Sequence, residues 1–153
     1  RRPGPDVLDP KIHHNNLINS ILAKIEANAA GADDALLLDG RGFVAETNAT
    51  HVFLVAGGVV RTPTTRACPE GITRAVVLEL LAREPIPYDV DDLSPAELRR
   101  ADEVFVTGTM GELVPVLSID GCRIGTGSPG PVTARLTAAF RALTATDGTR
   151  LVD

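Results

Sequence analysis

Residues 35–60, ALLLDGRGFVAETNATHVFLVAGGVV, hold four short runs of strand-forming residues with glycines between them. The runs are 35–38, 43–45, 51–55 and 59–60, and the intervening glycines are Gly40, Gly42, Gly57 and Gly58. Short apolar and β-branched runs bounded by glycine are typical of strands that are joined by tight turns. This stretch predicts a meander of antiparallel strands.

Helical spacing of apolar residues appears on both sides of this meander. The spacing predicts an amphipathic helix over 15–30 with Lys24 and Glu26 on its polar side, and a second helix that begins at Gly71 and ends at 83–85. The apolar face of the first is Leu17, Ile18, Ile21, Leu22, Ile25 and Ala29, and that of the second is Ile72, Ala75, Val76, Leu80 and Leu81.

The second half of the chain alternates between strands and helices. Ser94-Pro95-Ala96-Glu97 has the order of a capping box, with Leu93 and Leu98 spaced as a hydrophobic staple. We predict a short strand at 87–90, buried strands at 103–107 and 113–119, a tight turn at Asp120-Gly121 into 122–124, and a last helix from Pro131. The face of that helix is Val132, Leu136, Ala139, Phe140 and Leu143.

Composition points to a mixed α/β (α+β) fold class. Of 153 residues, 44% are hydrophobic but only 3% are aromatic, so the core must consist of Ala, Val, Leu and Ile. We predict a linker-like segment at 1–10, one domain at 11–145 and a tail at 146–153. The only methionine is Met110, which favours a fragment of a longer protein.

Charge and cysteine usage exclude several classes of partner. The net charge of −5 disfavours nucleic acid, no apolar run has the length of a membrane span, and the N-terminus RRPGPDVLDP lacks the apolar core of a signal peptide. Cys68 and Cys122 lack the spacing of a zinc site or of a disulfide framework, so we expect no metal and a reduced, cytoplasmic chain.

Three groups of residues together suit pyridoxal phosphate. Lys11 is one of only two lysines and offers an amine for a Schiff base, and Glu46 offers a carboxylate for a pyridine nitrogen. Gly71-Ile72-Thr73, at a helix start, and Thr107-Gly108-Thr109 offer N–H groups and hydroxyls for a phosphate. Each has an ordinary alternative: an exposed lysine, a glutamate that pairs with a nearby arginine or caps a turn, and a plain helix N-terminus. Lys24 has no predicted role.

These residues lie in stretches that resemble the C-terminal domain of class IV (fold type IV) aminotransferases, most closely the branched-chain group. The stretches are 17–55, LINSILAKIEANAAGADDALLLDGRGFVAETNATHVFLV; 67–81, ACPEGITRAVVLELL; 101–121, ADEVFVTGTMGELVPVLSIDG; and 127–136, GSPGPVTARL. The resemblance implies a mostly antiparallel, curved sheet or pseudo-barrel surrounded by helices. It also implies an N-terminal domain ahead of this chain and a homodimer.

The resemblance assigns roles to individual residues. Lys11 would bind the cofactor covalently and move the proton, and Glu46 would bond the pyridine nitrogen. Gly71, Ile72, Thr73 and Thr109 would bind the phosphate, and Met110 and Gly111 would lie near the substrate carboxylate. The implied reaction is transamination between a branched-chain L-amino acid and 2-oxoglutarate.

The chain departs from the family pattern at three positions. His51 stands where Asn is usual, Pro69 where a Leu often packs on the cofactor ring, and Asn16 where some branched-chain enzymes have Tyr. His13 and His14 flank Lys11, and we predict a surface or packing role for both. D-amino-acid aminotransferase and aminodeoxychorismate lyase remain alternatives, as does a stand-alone, non-catalytic binding or oligomerisation module.

Overall fold

The computed structural model describes residues 1–5, 8–12 and 15–148. His13 and His14 lie outside these residues, so their predicted role stays a prediction. The elements are α1 (Ile18–Ala29), β1 (Leu36–Leu38), β2 (Val44–Thr47), β3 (His51–Ala56), β4 (Val59–Thr62), a 3₁₀ turn (Thr65–Ala67), α2 (Ile72–Arg83), β5 (Tyr88–Val90), α3 (Pro95–Arg100), β6 (Glu103–Gly108), β7 (Glu112–Val116), β8 (Ser118–Ile119), β9 (Cys122–Arg123) and α4 (Pro131–Thr144).

A five-stranded sheet in the order β5-β4-β3-β6-β7 forms the centre of the fold. Its pairs are antiparallel except β4 with β5, so the predicted mixed, mostly antiparallel architecture is confirmed. The prediction of one continuous meander is wrong, because β1 and β2 form a separate antiparallel pair. The turn between β2 and β3 is closed by the Thr47 N–H, which donates to the Thr50 carbonyl (2.8 Å), and by the Thr47 hydroxyl, which accepts hydrogen bonds from the N–H groups of Ala49 and Thr50.

Each face of the central sheet has its own apolar core. Phe53 and Phe105 are directly opposite in β3 and β6, and their rings stack 5.0 Å apart in the core under α2 and α4, so the expectation of a core without aromatic rings is wrong for this face. On the other face, Leu93 and Leu98 are fully buried with residues of β2 and β6. The predicted capping box of α3 is present in full, which confirms that start signal.

The predicted face of α2 is partly wrong. Its buried residues are Arg74, Val77, Leu80 and Leu81, whereas Ile72 is 83% exposed. The Arg74 guanidinium donates to the Pro63 carbonyl (2.9 Å) and approaches the Thr62 hydroxyl (3.4 Å), so a charged residue fixes the rotation of the first turn. Helical spacing alone does not reveal a buried arginine.

The predicted strand over 113–119 is interrupted at Leu117 and belongs to two sheets. Val114 is more than two-fifths exposed because β7 is an edge strand, so the prediction of a buried strand is wrong for this part. The turn at Asp120 and Gly121 is confirmed, and both residues have positive φ (50° and 74°). No helix in the described part of the chain is long and apolar enough to cross a membrane.

Helix α1 has the predicted position, but its apolar face points to solvent. Ile18, Ile21, Leu22 and Ile25 are each 50–58% exposed, and Ala27 is the buried residue of the helix. Lys24, on the polar side, donates to the Asp33 carbonyl and lies 3.6 Å from the Asp34 carboxylate. The helix therefore presents an apolar stripe that the described residues leave uncovered.

Candidate functional site

One end of the central sheet brings several predicted site residues close together. His51, at the start of β3, lies opposite Thr107 near the end of β6. Glu46, near the end of β2, and Gly71, immediately before α2, both lie beside the His51 ring. Segments that are far apart in sequence therefore meet around this histidine.

Glu46 is a buried carboxylate, 7% exposed. Its Oε1 lies 2.6 Å from Nη2 of Arg2. Burial raises the pKa of Glu46 to about 7, and the charge of Arg2 opposes that rise. The alternative prediction, a pair with a nearby arginine, describes this arrangement. A buried acid of this kind also suits a protonated ring nitrogen as a partner.

Arg2 is the site residue that the sequence did not reveal. Its backbone N–H donates to the Leu38 carbonyl (2.8 Å), and its guanidinium donates to the Ala67 carbonyl and to the Ser20 hydroxyl (both 3.3 Å). These contacts hold the guanidinium beside Glu46. A Pro-rich lead-in segment carries no periodicity or motif that would indicate such a position.

His51 connects the carboxylate with the loop before α2. Its Nε2 lies 2.9 Å from the Pro69 carbonyl and 3.9 Å from Glu46 Oε2. Ligand atoms of Glu46, His51 and Cys68 lie within 4.8 Å of one another. The adjacent Arg2 guanidinium disfavours a cation there, and burial raises the pKa of the Cys68 thiol to about 12.

The start of α2 fits a phosphate. Gly71 is the N-cap residue with extended backbone (φ −83°, ψ 132°), and no side chain among the described residues caps the helix, so its first N–H groups are available to an anion. Nearby in the sheet, the Thr107 hydroxyl is buried and has no hydrogen-bond partner among the described residues. Uncapped N–H groups and a buried free hydroxyl are the donors that the predicted phosphate site requires.

Lys11 does not reach into an enclosed pocket. Its Nζ pairs with Glu70 Oε1 at 2.8 Å, and the hydrogen bond from Lys11 to Glu70 raises the pKa of the lysine. The side chain is 57% exposed and borders an open groove of about 300 Å³. The groove is lined by Pro5, Asp9, Pro10, Lys11, Thr64, Thr65 and Arg66. Since Glu70 adjoins Gly71, the ion pair holds Lys11 near the start of α2.

Thr109, Met110 and Gly111 form the turn between β6 and β7. All three are exposed, and Met110 is 99% exposed. The structure therefore brings Glu46 and Gly71 together around His51, joins Lys11 to them through Glu70, and leaves the 109–111 turn open to solvent beyond the end of β6.

The family of this chain follows from comparison with known proteins. A family model described as Amino-transferase class IV matches residues 1–119, and the chain belongs to that family. Fold type IV aminotransferases are also its structural neighbours, which confirms the fold that the sequence resemblance implies.

Within the family, similar relatives carry branched-chain names. The chain is 55% identical over 144 residues to branched-chain-amino-acid aminotransferase-like protein 2 of Arabidopsis thaliana, covering 94% of this chain and 26% of that protein. It is 42% identical over 154 residues to the putative branched-chain-amino-acid aminotransferase of Methanocaldococcus jannaschii, covering all of this chain and 54% of that protein.

A solved structure matches the fold closely. The branched-chain amino acid aminotransferase from Thermobaculum terrenum, in its PLP-form (holo-form), has a TM-score of 0.87 and 38% identity to this chain. The match covers 93% of this chain and 47% of that one. The chain thus spans about a quarter to about half of the length of these relatives.

Proposed function

We propose that this chain is the cofactor-binding part of a pyridoxal-phosphate-dependent aminotransferase that moves the amino group between a branched-chain L-amino acid and 2-oxoglutarate. The observation that carries the proposal is the meeting of a buried carboxylate, Glu46, with the uncapped start of α2 around His51. When bound, the cofactor supplies an aldehyde and an electron-withdrawing ring.

In this proposal Glu46 would bond the ring nitrogen of the cofactor and keep that nitrogen protonated. Its carboxylate is shielded from water, so an N–H⁺ partner is favoured over solvent. Arg2, at 2.6 Å, keeps the carboxylate oriented. The N–H groups of Ile72 and Thr73 and the hydroxyls of Thr73 and Thr109 would hold the phosphate, where the positive end of the α2 dipole favours an anion.

Lys11 would hold the cofactor through its side-chain amine, and the same amine would act as the acid and base of the amino transfer. An amine must be neutral to act in this way. The ion pair with Glu70 favours the charged form of Lys11, so Lys11 would need to leave Glu70 and lose a proton in order to hold the cofactor. Met110 and Gly111 are proposed to lie near the substrate carboxylate.

The apolar face of α1 supports the proposal of a further domain. Four large apolar side chains of α1 are at least half exposed, together with Leu17 and Ile12 just before it. Since the chain spans about half of the Thermobaculum terrenum enzyme, we propose that a domain outside this chain covers this face and completes the substrate pocket. A homodimer and a cytoplasmic location are part of the same proposal.

Covalent labelling tests the site. Pyridoxal phosphate is titrated into the protein, reduced with borohydride, and the modified lysine is located by peptide mapping. We expect saturable labelling of Lys11 and none of Lys24, whose ammonium is held by Asp33 and Asp34. Equal labelling of both lysines would contradict the proposed site and favour the non-catalytic module.

Substrate preference is tested with the full-length gene product. Amino transfer from L-leucine to 2-oxoglutarate is expected, with little from D-alanine and no lyase activity on aminodeoxychorismate. Activity only with the latter two would keep the cofactor but overturn the branched-chain assignment.

A further inference from the structure

His51 occupies a central position between the two ends of the proposed cofactor site. Its ring is mostly buried, and Nε2 lies 2.9 Å from the Pro69 carbonyl. A carbonyl oxygen can only accept, so Nε2 carries the proton in this bond. Pro69 lies in the segment 68–71, which leads directly into the uncapped start of α2.

The His51 ring is close both to the Glu46 carboxylate and to the start of α2. Nε2 lies 3.9 Å from Glu46 Oε2, on the side where the ring nitrogen of the cofactor is proposed to bind. The other edge of the ring packs on Gly71, where an added Cβ would lie 2.4 Å from Cε1 and 2.5 Å from Nδ1. The absence of a side chain at Gly71 is therefore what allows the ring to contact the helix start.

Several charged or titratable groups surround the imidazole. Glu46 faces it from β2, Arg2 from the N-terminal segment, Arg74 from α2, and Cys68 and Glu70 belong to the segment that it holds. Burial, together with the charges of Arg74 and Arg2, lowers the pKa of His51, and the bond to Pro69 opposes this shift. The neutral imidazole is the form that fits this environment.

We propose that His51 is a positioning residue that, as the neutral imidazole, holds the segment 68–71 and the start of α2 in a fixed place relative to the Glu46 carboxylate. This role rests on the proposed cofactor site and falls on a residue at which the chain departs from the usual family pattern. Loss of the Pro69 bond is then expected to weaken the phosphate-dependent part of cofactor binding most.

Two substitutions at His51 distinguish a positioning role of this residue from a role in packing alone. The amide nitrogen of His51→Gln extends about as far from Cβ as Nε2 does and can donate to Pro69, whereas that of His51→Asn is one carbon shorter. In the full-length gene product we expect His51→Asn to weaken pyridoxal phosphate binding about fivefold to tenfold, the effect of one buried hydrogen bond, and to change pyridoxal binding much less. We expect His51→Gln to restore the wild-type ratio of the affinity for pyridoxal phosphate to the affinity for pyridoxal.

Amide hydrogen exchange of the cofactor-free protein gives a readout that does not need the cofactor. We expect faster exchange in peptides that cover residues 66–76 for His51→Asn, and wild-type exchange for His51→Gln. If exchange follows this pattern while the wild type binds no pyridoxal phosphate, the positioning role stands and the proposed function fails. Equal exchange and equal affinity ratios in all three proteins would overturn the positioning role.

The pH dependence is a further check. A released imidazole regains its ordinary pKa of 6.5, so protonation favours release as the pH falls below that value. We compare the amide exchange rate of the 66–76 peptides in the wild type with the rate in His51→Gln at the same pH. We expect the ratio of these two rates to rise as the pH falls from 7 to 5. A constant ratio would contradict a role for the neutral imidazole.

Discussion

Glu46 gives the cofactor-free protein a pH-dependent loss of stability. Its pKa is raised from 4.5 to about 7, so the folded protein binds a proton between these values that the unfolded chain releases. This group therefore makes the free energy of unfolding fall as the pH rises through that window, by at most about 3 kcal/mol. We expect Glu46→Gln to lack this decrease when urea unfolding is measured at pH 5 and pH 8.

Glu97 provides a control, because its pKa is shifted in the opposite direction to that of Glu46. Its pKa is lowered from 4.5 to about 2 by hydrogen bonds from Ser94 and Arg61, so its contribution is present above pH 4.5 and is lost as the pH falls towards 2. Glu97→Gln should leave the pH 5 to pH 8 difference of the wild type unchanged. An equal change in both variants would contradict the assignment to Glu46.

Gly71 and His51 should be energetically coupled. An added methyl at Gly71 meets the imidazole, and the ring cannot move away without losing its bond to Pro69. We expect Gly71→Ala to lower the free energy of unfolding by about 1–3 kcal/mol in the wild type and by clearly less in a His51→Ala background. Equal losses in both backgrounds, measured by denaturant unfolding, would show that the two residues do not compete for this space.

Individual residues differ in how far the sequence could predict them. Glu46 follows an apolar run at a spacing that indicates burial, and it is buried. Arg2 and Arg74 were not predicted, because each is placed by carbonyls and hydroxyls from distant segments and neither belongs to an apolar pattern. Lys11 faces Glu70 because that carboxylate lies within reach of its ammonium, and sequence spacing does not indicate such a pair.

At the scale of elements, α4 depends on a buried glutamate at its start. Glu103 accepts hydrogen bonds from the N–H groups of Val132 (3.0 Å) and Thr133 (2.8 Å) and from the Thr133 hydroxyl (2.7 Å). Glu103→Gln would replace one of the two accepting oxygens with an amide N–H₂, which cannot accept from the donors on that side. We expect a loss of about 2 kcal/mol in the free energy of unfolding.

Glu79 is the matched control for this prediction. It is an exposed carboxylate on α2 whose distance to Arg83 is 3.7 Å, so Glu79→Gln should change the free energy of unfolding by less than about 0.5 kcal/mol. Thermal or urea unfolding of the two variants makes the comparison. Losses of equal size would show that the α4 start does not depend on the carboxylate.

Elements were predicted well wherever a local signal exists. The capping box fixed the start of α3, and glycines bounded most of the strands. The division of residues 35–60 between two sheets was missed, because it depends on the Thr47 turn and on the pairing of β3 with β6, some fifty residues further along the chain. Local spacing contains no information about such pairing.

At the scale of the whole molecule, the exposed apolar stripe of α1 predicts that this chain associates with itself. Replacing Ile21 with Glu and Ile25 with Lys keeps the net charge and places an ion pair at i and i+4. We expect the free energy of unfolding of this chain to change by less than about 1 kcal/mol, because both side chains are at least half exposed, while self-association in sedimentation experiments decreases.

Leu80→Ala is the contrasting change for this experiment. Leu80 is a buried residue of α2, so its truncation should lower the free energy of unfolding by about 2–5 kcal/mol without reducing association. A large loss of stability in the α1 variant would instead mean that this face already packs inside the chain. Helical spacing revealed that α1 has an apolar face, but only the three-dimensional arrangement shows which way that face points.

The two free cysteines differ in solvent exposure, and this difference makes it possible to observe opening of the buried corner of the protein around Arg2 and Glu46. Cys122 is exposed, whereas Cys68 is 1% exposed and its thiol has a pKa of about 12. Alkylation requires the thiolate and access to it. Iodoacetamide should therefore modify Cys122 rapidly and Cys68 only during transient opening of that corner, with the two sites distinguished by mass spectrometry. The slow rate then measures how often the protein exposes the proposed cofactor site to solvent.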